Sequence, residues 1–162
     1  EETMSTIQLD FAAKKRFHLI YNDKGGKPNN EVFVIHRAPL STHERFLAFL
    51  LEHYAGIFPV WLSPIQVHIV AVGENFYKAA CEFAKELGLH NIRAWFDNVN
   101  ETVGYKVRKG EKLKIPYILV IGEKEAKGEK LAVRSRGNKD IKEMTMEAFI
   151  ERITREIHEK II

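Results

Sequence analysis

Two rhythms of apolar and polar positions divide the chain. Over residues 5–11 they alternate, with Ile7, Leu9 and Phe11 set against Thr6, Gln8 and Asp10, the period-two signature of a half-buried strand. After a break at 12–15, a second strand is predicted over 16–21. A third is predicted over Glu31-Val32-Phe33-Val34-Ile35, beyond the polar turn Asn22-Asp23-Lys24-Gly25-Gly26-Lys27-Pro28-Asn29-Asn30. Three antiparallel strands make no core on their own. The rhythm then becomes helical: Thr42 is a cap candidate with Glu44 just inside, and Phe46, Leu47, Phe49, Leu50 and Tyr54 recur at helical spacing until Gly56. Residues 58–64 form a Pro-bounded linker, and the domain boundary is placed near Pro59.

Beyond the linker, strands and helices alternate. Strands are predicted over 66–72, 92–96, 117–121 and 130–134, and helices over 75–87, 102–112 and 146–157, with a hairpin at 122–129 adding an antiparallel strand. This order predicts an α/β fold: a mixed, mostly parallel five-stranded sheet flanked by helices, preceded by the antiparallel-strand and helix piece. The expected domains are 1–58 and 59–162.

Composition narrows the functional classes. A length of 162 residues with 45% hydrophobic content suits one ordinary domain, or a small domain plus a fragment, folding in water. The net charge of +3 is mild, but residues 105–142 hold twelve Lys/Arg against five Asp/Glu, which favours a polyanionic partner. Cys81 is the only cysteine, so neither a disulfide framework nor a thiolate zinc cluster is expected, and a reducing cytosol fits. No apolar run approaches the roughly 18 residues of a membrane span. The start, Glu1-Glu2-Thr3-Met4, has no basic or apolar leader pattern and no Met at position 1, so a trimmed or partial product is expected.

Several residues invite a chemical reading. His36 and Arg37 close a predicted strand and Arg45 falls in the first turn of the following helix. Taken alone, an isolated His is more often structural than a metal ligand, and a helix arginine more often pairs with a nearby acid. In the second region, Asn100, Arg108, Lys114, Glu125 and Arg134 interleave a polar turn, a basic helix and a strand ending Val133-Arg134-Ser135-Arg136. A run of charge is usually a solvated face, though the interleaving of a polar turn, a basic helix and a paired-arginine strand is better than a random run.

The segments His36-Arg37-Ala38-Pro39-Leu40-Ser41-Thr42-His43-Glu44-Arg45-Phe46 and Phe58-Pro59-Val60-Trp61-Leu62-Ser63-Pro64-Ile65-Gln66-Val67 closely resemble a junction in threonyl-tRNA synthetases. There, the last class II catalytic motif gives way to the anticodon-binding domain. The resemblance implies that His36 is the last of three protein ligands to a zinc ion that holds threonine. It implies that Arg45 contacts ATP in the activation step, and that Thr6 and Gln8 of Thr6-Ile7-Gln8-Leu9-Asp10-Phe11 face the adenylate pocket. It further implies that Asn100, Arg108, Lys114, Glu125 and Arg134 read the anticodon. Departures from the family pattern are Ser41-Thr42 in place of Gly-Ser, Lys114 in place of a frequent Arg, and Glu2-Thr3-Met4 in place of a Trp-Gln-Cys-like run.

The resulting expectation is the C-terminal portion of a threonine-tRNA ligase, a cytoplasmic enzyme using ATP and zinc with threonine and threonine tRNA as partners. The resemblance implies a homodimeric parent with no membrane association. His36 alone should not hold zinc, and these residues alone should not aminoacylate. The alternative is a stand-alone, non-enzymatic RNA-binding module of the anticodon-binding-domain type; a merely solvated basic surface is the third reading.

Overall fold

The alternating run at the start of the chain becomes an exposed two-stranded ribbon. The computed structural model describes residues 3, 5–128, 130–138 and 140–162, which leaves Glu2 and Met4 of the leading segment, and Glu129 of the expected hairpin, outside the described residues. In chain order come β1 (Thr6–Asp10), α1 (Ala13–Phe17), the short strands β2 (Tyr21–Asn22) and β3 (Pro28–Asn29), β4 (Val34–Ala38) and α2 (His43–His53). β1 pairs antiparallel with β4, and β2 with β3.

The strand predicted over 16–21 is not one. Asp10 accepts the N–H groups of Ala12 and Ala13 at 2.8 and 2.9 Å, which meets two otherwise orphan donors and starts α1. His18 then ends that helix in the left-handed region at φ 50°. What remains of a strand is β2. α2 begins where expected, with the Thr42 hydroxyl accepting the Arg45 N–H at 3.4 Å.

The chain divides into two compact units, Glu1–Ala55 and Gly56–Ile162. They differ sharply in burial. In the first, Ala13 is the one buried apolar side chain among the described residues, while Ile7, Leu9, Phe11, Phe17, Ile20, Ile35, Leu47 and Phe49 are all exposed. A two-stranded ribbon is at best marginally stable by itself.

The second unit has a real core. Its elements are β5 (Val67–Ala71), a 3-10 turn at Glu74–Phe76, α3 (Tyr77–Leu89), β6 (Ala94–Asp97), α4 (Val103–Lys112), β7 (Tyr117–Ile121), α5 (Glu123–Ala126), β8 (Leu131–Ser135), β9 (Ile141–Met144) and α6 (Met146–His158). The sheet order is β6-β5-β7-β8-β9, with β6, β5 and β7 parallel, β8 antiparallel to β7, and β9 antiparallel to β8 and so aligned with the first three. A five-stranded mixed sheet is therefore present as expected. The fifth strand is β9, which no predicted element covered, and the hairpin between β7 and β8 contains the helical turn α5.

Alternation sends the two sides of each strand to different neighbours. Val67, Ile69, Tyr117, Leu119, Ile121, Leu131 and Val133 join Ala80 and Leu87 of α3 and Phe149 and Ile153 of α6 in the main core. His68 and Ile118 point the other way, toward α4. The linker is pinned to this unit: Gln66 donates to the Val60 carbonyl at 2.9 Å and accepts the Arg93 N–H at 2.8 Å, while the Arg93 guanidinium donates to the Ser63 carbonyl at 2.8 and 3.0 Å.

α4 lies unusually close to the sheet because Gly110 has no side chain. A Cβ there would sit 2.4 Å from His68 Nδ1 and 2.9 Å from Ile118 Cδ1, and both neighbours are buried. Helix propensity alone would make Gly110→Ala stabilising by about 1 kcal/mol. We expect instead a net loss of roughly 1–3 kcal/mol from overpacking, measured by urea unfolding; a gain in stability would contradict this packing.

Candidate nucleic-acid interface

The face of the sheet beneath α4 is built on charge rather than hydrocarbon. Lys106 and Lys109, one turn apart, both reach Asp97 at the C-terminal end of β6. Lys106, only 1% exposed, donates through Nζ to the Asp97 carbonyl at 3.0 Å and lies 5.5 Å from the Tyr77 ring centroid. Lys109 Nζ meets Asp97 Oδ2 at 3.0 Å and stands 4.7 Å from the centroid of Trp95. Trp95 stacks on His68, with centroids 4.5 Å apart and planes at 11°.

Burial decides the protonation of this cluster. It pushes the His68 imidazole below its ordinary range; the Asp97 carboxylate opposes this, while Lys109 and Lys106 add to it. His68 is fully buried, neither ring nitrogen has a hydrogen-bond partner among the described residues, and its Nε2 lies 3.6 Å from Asp97 Oδ2. Burial would raise the Asp97 carboxyl, but Lys109 and the Val99 N–H outweigh it and hold the group below the usual carboxylate range. The ionised Asp97 is thus the fixed charge, and His68 is a neutral ring beside it.

The anticodon-type residues predicted from the sequence distribute around this base. Asn100 is exposed in the loop between β6 and α4, and Arg108 is exposed on α4. Glu125 follows the C-terminal end of β7 in α5, and its carboxylate accepts the Gly122 N–H at 2.9 Å, so it also caps that helical turn. Asn100 and Glu125 therefore share one end of the parallel strands. Lys114 lies at the other end, in the turn between α4 and β7, with φ at 57°. Arg134 sits on β8 opposite Ile118. The five residues lie on five different segments around the sheet, and of the five only Arg134 lines the cleft that Ile118 also lines.

Arg134 opens into a cleft of about 410 Å³ lined by Glu111, Ile115, Ile118, Ser135, Arg136 and Asn138. Its Nε is buried without a partner among the described residues. A donor in that state costs roughly 1–3 kcal/mol unless something accepts from it. Arg136, two positions on, is instead committed to the protein: it donates to the Lys114 carbonyl at 2.6 Å and the Phe58 carbonyl at 2.7 Å. Both arginines line the cleft, but Arg136 is a clamp, whereas the Arg134 Nε has no partner among the described residues. The sequence reading missed Asp97 and Lys109, and placed Lys106 and Arg136 on the basic surface without their holding roles, because lysine is rarely buried and a clamp arginine has no distinguishing spacing. Gly110 inside a helix was the one local signal of a close approach.

In the first unit, Gln8 is directly opposite His36, and Thr6 opposite Ala38, so Thr6, Gln8 and His36 share one ribbon face with Asp10. His36 Nε2 lies 3.3 Å from Asp10 Oδ2. The Ala13 N–H, followed by His36, holds the Asp10 carboxyl below its ordinary value. Arg45 is exposed in the first turn of α2, and no hydrogen bond or ion pair among the described residues ties it to the ribbon. Among the described residues no three His, Cys, Asp or Glu side chains gather as a metal site, so the residues present do not fit a complete zinc centre.

A family model described as an anticodon binding domain matches residues 66–156, more than half of the chain. The chain belongs to the anticodon-binding domain family. The match covers the whole sheet with α4, and includes Asn100, Arg108, Lys114, Glu125 and Arg134. Among curated relatives, the chain is 43% identical over 155 residues to the threonine–tRNA ligase of Carboxydothermus hydrogenoformans. It is 41% identical over 160 residues to that of Clostridium botulinum. These alignments take in 96% and 99% of the chain, which spans about a quarter of the length of either relative. The RNA-binding domain of threonyl-tRNA synthetase from Cryptosporidium parvum superposes with a TM-score of 0.71 at 34% identity, covering 93% of this chain and 38% of that one. A prolyl-tRNA synthetase from the same organism shares the fold at 17% identity, with a TM-score of 0.64 over 96% of this chain and 35% of that one.

Within this family fold, the buried neutral His68 makes stability depend on pH. The unfolded chain takes up a proton as pH falls through about 6.5, whereas the folded chain resists it. Stability is therefore fully present above that range and declines as pH falls through it toward the lower folded value. We expect thermal unfolding between pH 7.5 and 5 to show a steeper loss in the wild type than in His68→Leu; parallel losses would contradict a neutral buried imidazole.

Proposed function

We propose that residues 59–162 act as the anticodon-reading domain of a threonine-tRNA ligase. Asn100, Arg108, Lys114, Glu125 and Arg134 contact the tRNA anticodon loop. The observation that carries this reading is Arg134: a strand arginine that lines a cleft and whose buried Nε has no partner among the described residues, within the anticodon-binding fold and in the most basic part of the chain. Splayed bases present acceptors that a guanidinium fork can take up, and a basic strip tracks the phosphates between them. The spread of the five residues over separate segments suits several unstacked nucleotides better than one small molecule.

Residues 1–58 are, in the same proposal, the end of a class II catalytic domain. Thr6 and Gln8 face the adenylate, and Arg45 contacts ATP, its permanently charged planar fork suited to phosphate and adenine. The ribbon's exposed apolar side chains support this assignment, since such a surface needs a cover in a larger domain. The whole ligase would activate threonine with ATP and transfer it to threonine tRNA, as a cytoplasmic homodimer. A zinc ion at His36 would need ligands beyond those the described residues gather, and no step is assigned to it. No helix among the described residues is long and apolar enough to cross a membrane.

Two measurements test the proposal. The 162-residue chain should bind a threonine tRNA transcript more tightly than an anticodon-swapped one, and Asn100→Ala or Arg134→Ala should weaken specific binding by roughly 1–3 kcal/mol each. Equal affinity for both transcripts would remove the anticodon reading. The same chain should give no threonine-dependent exchange of pyrophosphate into ATP; measurable exchange would show that residues 1–58 complete an active site.

A further inference from the structure

We propose that Asp97 is a positioning residue for RNA recognition, acting on the base-reading loop through Asn100; this inference rests on the anticodon reading above. The carboxylate divides its two oxygens between two tasks. Oδ2 takes the Lys109 ammonium at 3.0 Å, which holds α4, and the Asp97 carbonyl takes Lys106 at 3.0 Å, which holds α4 again. Oδ1 takes the Val99 N–H at 3.2 Å, and that bond does nothing for the helix.

Its effect falls on the loop. Asn98, Val99, Asn100 and Glu101 are all exposed, so packing does not fix their course. The loop is instead tied at both ends by side-chain oxygens: Asp97 at its start, and Thr102 at its end, whose hydroxyl accepts the Tyr105 N–H at 3.3 Å. Between them the Glu101 N–H donates to the Val99 carbonyl at 2.9 Å. Asn100 stands in the middle of this closed turn. Asp97 is only 1% exposed and cannot touch RNA itself, so any influence on binding passes through the turn it shapes. A carboxylate that served the fold alone would need only the lysine contacts.

The test is a double-mutant cycle on the 162-residue chain, using the threonine tRNA transcript and its anticodon-swapped version as probes. Asp97→Ala, which removes the acceptor of the Val99 N–H where Asp97→Asn would keep it, is expected to lower the ratio of the two affinities about tenfold, comparable to one lost base contact. In an Asn100→Ala background, Asp97→Ala should change the ratio no further. A merely structural role would reduce binding in both backgrounds alike, and multiplicative losses would overturn the inference. Discrimination that survives in folded Asp97→Ala would also overturn it. Equal affinity of the unsubstituted chain for both transcripts would overturn the anticodon reading first, and this inference with it. Should Asp97→Ala fail to fold, hydrogen exchange in the unsubstituted chain decides: the Val99 amide should exchange at least tenfold more slowly than that of exposed Asn98, as a bonded amide does. Equal rates would leave Asp97 without its hold on the loop.

Discussion

The second unit depends on one buried carboxylate. Asp97 ends β6 where an apolar residue would ordinarily close the core, and it brings two lysines of α4 down onto the sheet. A buried ion pair is a poor source of stability compared with hydrocarbon, because desolvation offsets much of the attraction. What it supplies is geometry. Lys106 and Lys109 are fixed to one point on the sheet, Gly110 allows the helix to approach His68, and Arg108, lying between the lysines in sequence, is turned to solvent. Removing either partner would leave an uncompensated charge inside, so the arrangement is brittle but well defined.

The two sides of the same sheet answer to different demands. Toward α3 and α6 it is an ordinary apolar core, and this side carries the stability of the unit. Toward α4 it carries charged and polar groups on three strands, Asp97 on β6, His68 on β5 and Arg134 on β8, with Ile118 of β7 among them. That asymmetry is what an RNA-facing platform requires, since the guanidinium facing the cleft must be half-buried to be oriented and still short of a partner. Among its described residues the first unit has no comparable inside. Its two strand pairs and two helices leave most large apolar side chains in water, in keeping with its proposed place in a larger catalytic domain.

Much of this was legible in the sequence, for reasons tied to particular residues. β5 and β7 are short, nearly continuous apolar runs, and α6 carries a clear helical stripe behind the Thr145 cap, so periodicity located them. β9 was not legible: Ile141-Lys142-Glu143-Met144 is polar at its centre and becomes a strand only because β8 offers an open edge. Residues 16–21 have strand-like composition, yet Asp10 several positions earlier starts a helix there, and no local window contains that information. At the proposed site, the residues assigned to RNA contact come from their resemblance to a family motif. The residues that hold them were not. Lys106 and Lys109 read as part of a solvated charge run, and only the three-dimensional closeness of Asp97 distinguishes them.

The central claim is that RNA meets this chain along α4 and β8, on the face opposite the apolar core. Mapping backbone amide shifts of the isotope-labelled chain during titration with a threonine-tRNA anticodon stem-loop tests it most directly. The account predicts that the largest changes cluster at Asn100, Arg108, Lys114 and Arg134, with α3 and α6 nearly silent. Changes concentrated on α3 and α6, or no changes at saturating stem-loop, would contradict it.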